Sequence, residues 1–287
     1  MANNIALAKA FVPLLDEAYK AGAKTSVLDG QLDLQRQGEN ARELVIPIMT
    51  LDGLGNYSRA DGYPAGSETL TWETVQPNYD RGKMFTIDTM DNAETAGIAF
   101  GQLAAQFIKM HVTPERDAFN IAFYANNADL TASGTLATGA AVITALTTAT
   151  VQLDEAETPE TERYLFISPT NYMAIKGMDS YKSVAVMERF EQVIQVPSAR
   201  MNSVVTLSPT AGWTAGGDKV EFLIIHKPKV IQYAKHTDVK VVAPQENQTA
   251  DAWKFGYRMY AITQKYQNKV PGIYVYKYAE EEEPEDP

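Results

Sequence analysis

Residues 91–124 read DNAETAGIAFGQLAAQFIKMHVTPERDAFNIAFY, and this stretch decides the fold. Phe100, Leu103, Ala104, Phe107, Ile108, Val112, Phe119, Ala122 and Phe123 recur at three- and four-residue spacing, the stripe of an amphipathic helix. Asp91 or Asn92 can cap its start, with Glu94 beside the positive end of the helix dipole. At about 1.5 Å per residue the helix would span about 50 Å, long for a globular domain. Thr113-Pro114-Glu115 interrupts it, because proline has no N–H and clashes with the preceding turn. The residues alone allow one kinked helix or two collinear ones. A rod of that length needs a surface to lie against.

That surface is sought on both sides of the helix. Residues 253–263 (WKFGYRMYAIT) and 272–278 (GIYVYKY) read as long aromatic strands, and with the strands of 229–268 they are the candidate cover. On the N-terminal side, residues 43–49 (ELVIPIM), 70–75 (LTWETV) and 83–88 (KMFTID) are strand-like. Between the first two lies a stretch punctuated by Gly53, Gly55, Asp61-Gly62, Pro64 and Gly66. We read 41–90 as a long β-hairpin with a glycine-rich tip. A two-stranded hairpin is marginal in water, so one bearing Tyr57, Tyr63 and Trp72 calls for a partner surface. Residues 5–20 form a short amphipathic helix including Phe11, followed by a polar extended arm to about residue 40.

Downstream, residues 136–151 repeat at helical spacing, RYLFIS at 163–168 is a compact buried strand, and Pro169 opens a short helix closed at Gly177. Strands follow at 193–196, 204–207, 220–226, 229–233 and 239–242, with turns at Gly212-Trp213 and Gly216-Gly217-Asp218. This is a mixed α/β unit around a sheet. The tail from Glu280 is acidic and is expected to be solvated and disordered.

Composition narrows the function classes. The chain has 287 residues, 45% of them hydrophobic, enough for one large domain or two ordinary ones. Net charge is −11, six of the acids lying in the last eight residues. No Lys/Arg run offers a phosphate-gripping face, which argues against dedicated nucleic-acid binding. There is no cysteine, so disulfides, thiolate catalysis and Cys-ligated zinc are excluded. No apolar run approaches the roughly 20 residues of a membrane span, and the N-terminus lacks a secretion signal. His111, His226 and His236 are not at metal-ligand spacing. GLGNYS at 53–58 follows a strand, but no helix follows it to cradle a phosphate, and Leu54 stands where a calcium loop needs an oxygen ligand. No G-x-S-x-G or Walker motif occurs. We expect no catalytic, cofactor or metal site. An enzyme with an unrecognised carboxylate site is the remaining alternative of that class.

Three further stretches carry a resemblance: DRGKMFTIDTMDNAET from Asp80, PERDAF at 114–119, and AVITALTTATVQLDEAETPETERYLFISPTNYMAIK at 141–176. In this order, over nearly the whole chain, they resemble the major capsid proteins of tailed bacteriophages with the HK97-like fold, an α+β architecture. The resemblance implies an N-terminal arm (1–40), an E-loop hairpin (41–90), a spine helix of the peripheral domain (91–127) and an axial domain (128–228). It further implies peripheral strands (229–268), a final strand (269–279) that can return to the axial domain, and a free tail (280–287).

The resemblance also implies function: a structural protein of the virion that self-assembles, as pentamers and hexamers, into an icosahedral shell around double-stranded DNA. The implied partners are further copies of itself, a portal protein and a scaffolding protein. It would be made in the host cytoplasm and would bind neither membrane nor specific DNA sequence. Because Met1 stands directly before the arm, scaffolding is expected from a separate protein. Some family members weld subunits through a Lys–Asn isopeptide bond. Here no lysine lies between Lys24 and Lys83, so no cross-link is expected, although Asn247 falls in a suitable loop. Phe11, Tyr57, Arg59, Tyr63 and Trp72 are the expected contacts between subunits. The rival within the fold is an encapsulin-like cellular nanocompartment.

Overall fold

The computed structural model describes residues 22–30, 36–37, 44–59, 62–63, 65–90, 106–178, 181–210, 212–267 and 269–279. Phe11, the N-terminal part of the long helix and the acidic tail therefore lie outside the described residues.

The helix that opened the reading is continuous over residues 106–126. It contains a π-helical turn, Ile108–Val112, followed by helix α1, Thr113–Asn126. The Thr113 N–H donates to the Ile108 carbonyl, five residues back, and the dihedrals of Phe107, Val112 and Thr113 are all right-handed helical. Pro114 has no N–H to give Met110, and the widened turn before it gives the ring room without ending the helix.

Two sheets lie along this helix. The smaller has the order β10-β11-β4, all antiparallel: Val230–Val242, Ala252–Lys265 and Tyr79–Asp88. Its inner face presents Phe255, Tyr257 and Met259 to Ile108 and Val112, with Phe85, Ile87, Phe107 and Phe119 packed around them. The aromatic strand expected to cover the rod does so.

The larger sheet is mixed. Its order is β5-β12-β9-β6-β7: Leu130–Gly134, Ile273–Tyr278, Trp213–His226, Arg163–Ile167 and Gln192–Gln195. Strand β8, Asn202–Leu207, pairs with the outer part of β9. One face buries Phe166, Leu223, Ile225, Ile273 and Val275 against Ile121, Tyr124 and Ala125 of α1. The other buries Leu165, Ile167, Phe222 and Ile224 beneath helices α2 (Gly139–Glu155) and α3 (Pro169–Lys176). Each of these side chains contributes about 1.5–3 kcal/mol by leaving water.

The local reasons are short. Thr138 caps α2 by accepting from the Ala141 amide, and Ser168 caps α3 from the Asn171 amide with Pro169 at its first turn. Gly139 is required where α2 meets α3: a Cβ there would stand 2.3 Å from the Ala174 carbonyl oxygen. A short helix α4, Tyr181–Met187, completes this layer.

A third, small sheet stands apart. Strands β2 (Leu44–Leu51) and β3 (Glu68–Val75) form a hairpin in register from Leu44↔Val75 to Leu51↔Glu68. The short β1, Arg36–Gln37, adds to its outer edge.

Three sequence expectations change. The hairpin does not run to residue 90: its pairing ends at Val75, and Tyr79–Asp88 pairs with β11 in the peripheral position. Its alternation reads the same either way, because the choice of partner is tertiary. The turn expected at Gly216-Gly217-Asp218 is a bulge inside one long strand. Gly217 sits at φ +68, and the register slips opposite Asn202 and Val204. Residues 229–233 and 239–242 are one strand, β10, with an irregularity between Ala234 and His236.

Candidate assembly interface

The hairpin is held firmly at one end and exposed at the other. Eight-residue strands at about 3.3 Å per residue reach about 26 Å from the body. At the tip, the Asp52 carboxylate accepts from the Ser67 amide at 2.9 Å, and Ser58 and Gly62 bridge each other. This closes the turn that carries Arg59. Gly62 sits at φ +82, where glycine has no steric cost. The Tyr57 and Tyr63 rings meet edge-to-face with centroids 5.0 Å apart. Leu54 and Tyr63 stand almost wholly in solvent, and Met49, Leu51, Leu70 and Trp72 are exposed along the strands.

At the root, the Asn78 amide donates to the Thr263 carbonyl and its oxygen accepts the Thr263 N–H. The Tyr79 hydroxyl donates to Glu115 of α1, and Arg81 binds the same carboxylate at 2.8 Å. The Arg116 guanidinium lies 4.8 Å from the centre of the Tyr79 ring. Arg81 also donates to the Ser208 and Gly212 carbonyls, and Lys83 to that of Thr210, so the turn between β8 and β9 rests on β4.

Residues 22–30, within the expected arm, have their own anchor. Asp117 of α1 is fully buried and accepts from the Lys24 amide, the Thr25 amide and the Thr25 hydroxyl at 2.8–3.0 Å, with Arg200 at 3.2 Å. Burial pushes the Asp117 carboxyl above its ordinary value, against the pull of these donors. Asn120 donates to the Thr25 hydroxyl and accepts from Thr263. Gln232 donates to the Thr25 carbonyl and to Asp29. A groove of about 370 Å³ lies between residues 106–112, β4, β11 and the turn at 209–213. Phe107, Met110, Tyr257 and Trp213 line it, while Arg81, Lys83 and Glu115 on its wall are already engaged with protein groups. Among the described residues no group of three or more His, Asp or Glu is placed to hold a metal, and no helix is long and apolar enough to cross a membrane.

Of the contact residues read from sequence, Tyr57, Arg59 and Tyr63 come together at the tip. Trp72 lies back along β3, in register with Pro47 and half exposed. Phe11 lies outside the described residues. The arm anchor was missed. Its only trace in the sequence is Asp117 and Asn120, one turn apart inside an apolar stripe, where a buried acid and amide need partners.

No family model and no curated protein matches the sequence. Solved structures do match. A virus-like particle from Pyrococcus furiosus superposes with a TM-score of 0.60 at 11% identity, over 93% of this chain and 98% of that one. The capsid of Myoviridae phage XM1 gives 0.56 at 12%, over 90% and 92%. The capsid of cyanophage P-SCSP1u gives 0.55 at 16%, over 84% of each chain. The fold is that of phage major capsid proteins. It is an α+β fold, as the motifs implied. At these identities the likeness is one of backbone fold.

Proposed function

We propose that this chain is a structural shell subunit, the major capsid protein of a phage head. Copies of it would form pentamers and hexamers, close into an icosahedral virion shell and enclose double-stranded DNA without reading its sequence. One observation carries this. A hairpin with an exposed Leu54/Tyr57/Tyr63 tip projects about 26 Å, and among the described residues nothing covers that tip. Its apolar surface is satisfied by another copy. Such contacts are heterologous, so the assembly closes only through curvature. Many modest contacts per subunit then add to a stable shell. A separate scaffolding protein and a portal complete the assembly, which takes place in the host cytoplasm. The chain performs no catalysis in this reading.

The test is electron microscopy of the chain co-expressed with a candidate scaffolding protein. Uniform closed shells are expected; persistent monomers would reject the proposal. A second reading, an encapsulin-like cellular compartment, fits a shell-forming fold equally well. Shells that purify with a specific enzyme cargo, and without a portal, would select it.

A further inference from the structure

Strand β12 pairs with β5 as far as Tyr278↔Gly134, and Ala279 is still held there. Its N–H donates to the Gly134 carbonyl, and its own carbonyl accepts from the Thr135 hydroxyl at 2.8 Å. Beyond it come residues 280–287, EEEEPEDP, with six carboxylates in eight residues. These eight lie outside the described residues, but the place from which they leave is fixed.

That place is close to the turn between α3 and α4. Five residues on from Gly134, Gly139 packs against α3, and a Cβ there would stand 2.8 Å from the Met178 side chain. The 134–139 link is at most about 18 Å of chain, and eight extended residues span up to about 27 Å. The tail therefore reaches the turn with length to spare.

The turn carries the cations that the tail lacks. Lys176, in the last turn of α3, and Lys182, at the start of α4, are both exposed. Neither meets a carboxylate among the described residues, and Asp179 between them lies outside these. The lysines nearer the root of the tail are already matched: Lys277 with Asp218 at 3.1 Å and Lys219 with Glu221 at 2.8 Å. Around Lys176 and Lys182 stand Met173, Met178, Tyr181 and Val184, all exposed, with Tyr181 88% in solvent.

Charge and tether together select the occupant. One exposed ion pair contributes little. A short tether, however, presents its acids to the nearest unmatched cations at millimolar effective concentration, and successive pairs along one strip then reinforce each other. We propose that the acidic tail, residues 280–287, folds back over the α3–α4 turn of its own chain. Lys176 and Lys182 hold its carboxylates, and its backbone screens Met178 and Tyr181 from other molecules. This surface is separate from the hairpin tip, and its occupation does not depend on the shell reading.

The chain has no cysteine, so labels can be placed cleanly. Spin labels at Pro287→Cys, at the end of the tail, and Thr144→Cys, on the exposed side of α2, report where the tail lies in the soluble subunit. At about 0.01 M salt a short, narrow distance component is expected; at about 1 M salt, where charges are screened beyond about 3 Å, it should disappear. Lys176→Gln with Lys182→Gln should reduce that component at least about threefold at low salt. Lys240→Gln with Lys254→Gln, the same charge removed from the three-stranded sheet, should leave it unchanged. A distribution equally broad at both salt concentrations, or one indifferent to the Lys176/Lys182 exchange, would overturn the docking. If the double variant does not fold, Lys176→Gln alone and the salt series decide. Dilution with unlabelled chain should preserve the short component; its loss would place the tail on a neighbouring copy and overturn the assignment to its own chain. Shells that form normally without a short component reject the docking alone. A short component in a chain that never forms shells keeps the docking and rejects the shell.

Discussion

The six-stranded sheet and the projecting hairpin use similar side chains to opposite ends. Phe222, Ile224 and Leu165 are fully buried, while Leu54, Tyr63 and Trp72 face solvent. The sheet has α1 on one face and α2 and α3 on the other, so its apolar residues are satisfied within the chain. Among the described residues no second layer covers the hairpin. Burial by the chain itself marks residues that make the fold; in the proposed reading, the apolar residues left outside are those that would make the assembly.

The comparison can be broken by substitution. The largest effect on folding is expected at Phe166→Ala, in the sheet core. It should lower unfolding free energy by about 3–5 kcal/mol in urea titrations of the soluble subunit. A loss below about 1 kcal/mol would show that this core is not where stability resides. Asp117→Ala comes next, at about 2–3 kcal/mol, because it strands the buried donors of Thr25 and removes the partner of the partly buried Arg200. Protease cutting should then begin near residues 22–30, and an unchanged cleavage pattern would count against the anchor.

A smaller effect is tied to pH. His226 is buried, and burial, reinforced by nearby Arg163 and Lys269 against the pull of Glu162, depresses its pKa below 6.5. The neutral ring is the folded form, so its contribution is full above pH 6.5. It is lost as pH falls from there through the folded value, because the unfolded chain takes up the proton first. The slope is at most about 1.4 kcal/mol per pH unit. His226→Gln should flatten that slope between pH 7.5 and 5.5.

The least effect on folding is expected from Tyr57→Ser with Tyr63→Ser. Urea midpoints should move by no more than about 0.5 kcal/mol in equivalent stability, yet shell yield on co-expression should fall at least about tenfold, a loss of about 1.4 kcal/mol or more per assembled unit. Normal shells from this variant would remove the tip from the interface. Finally, shells boiled in SDS should run only as the 31.6 kDa monomer. Asn247 caps its own loop, accepting from Thr249 and donating to the Ala252 carbonyl. A ladder of multiples would show a weld that the lysine pattern gives no sign of.

Local pattern located α3, through Pro169 and Gly177, and β6, as a compact apolar run, to within a residue and marked the aromatic cover of the helix, because local pattern and tertiary burial agree there. It failed where pairing is chosen at long range. Residues 79–88 have the alternation of a hairpin strand, but Asn78 and the Glu115–Arg81 pair, from segments far apart in sequence, draw them to β11. It failed again at Gly217, where a turn residue serves a bulge. The exposed position of the tip tyrosines was legible because a glycine-rich turn offers aromatic side chains little beyond each other to pack on. The role of Asp117 was not, since a single carboxylate in sequence looks the same whether it is solvated or ties several segments together.

Glu115 holds the root of the hairpin and Asp117 holds the root of the arm, two residues apart on one helix. Mechanically, this makes one turn of α1 a tension joint. If an internally pressurised container pulls its subunits apart through their extensions, the load enters at one root and leaves at the other, about 3 Å further along the helix axis. The six-stranded sheet then lies off the load path.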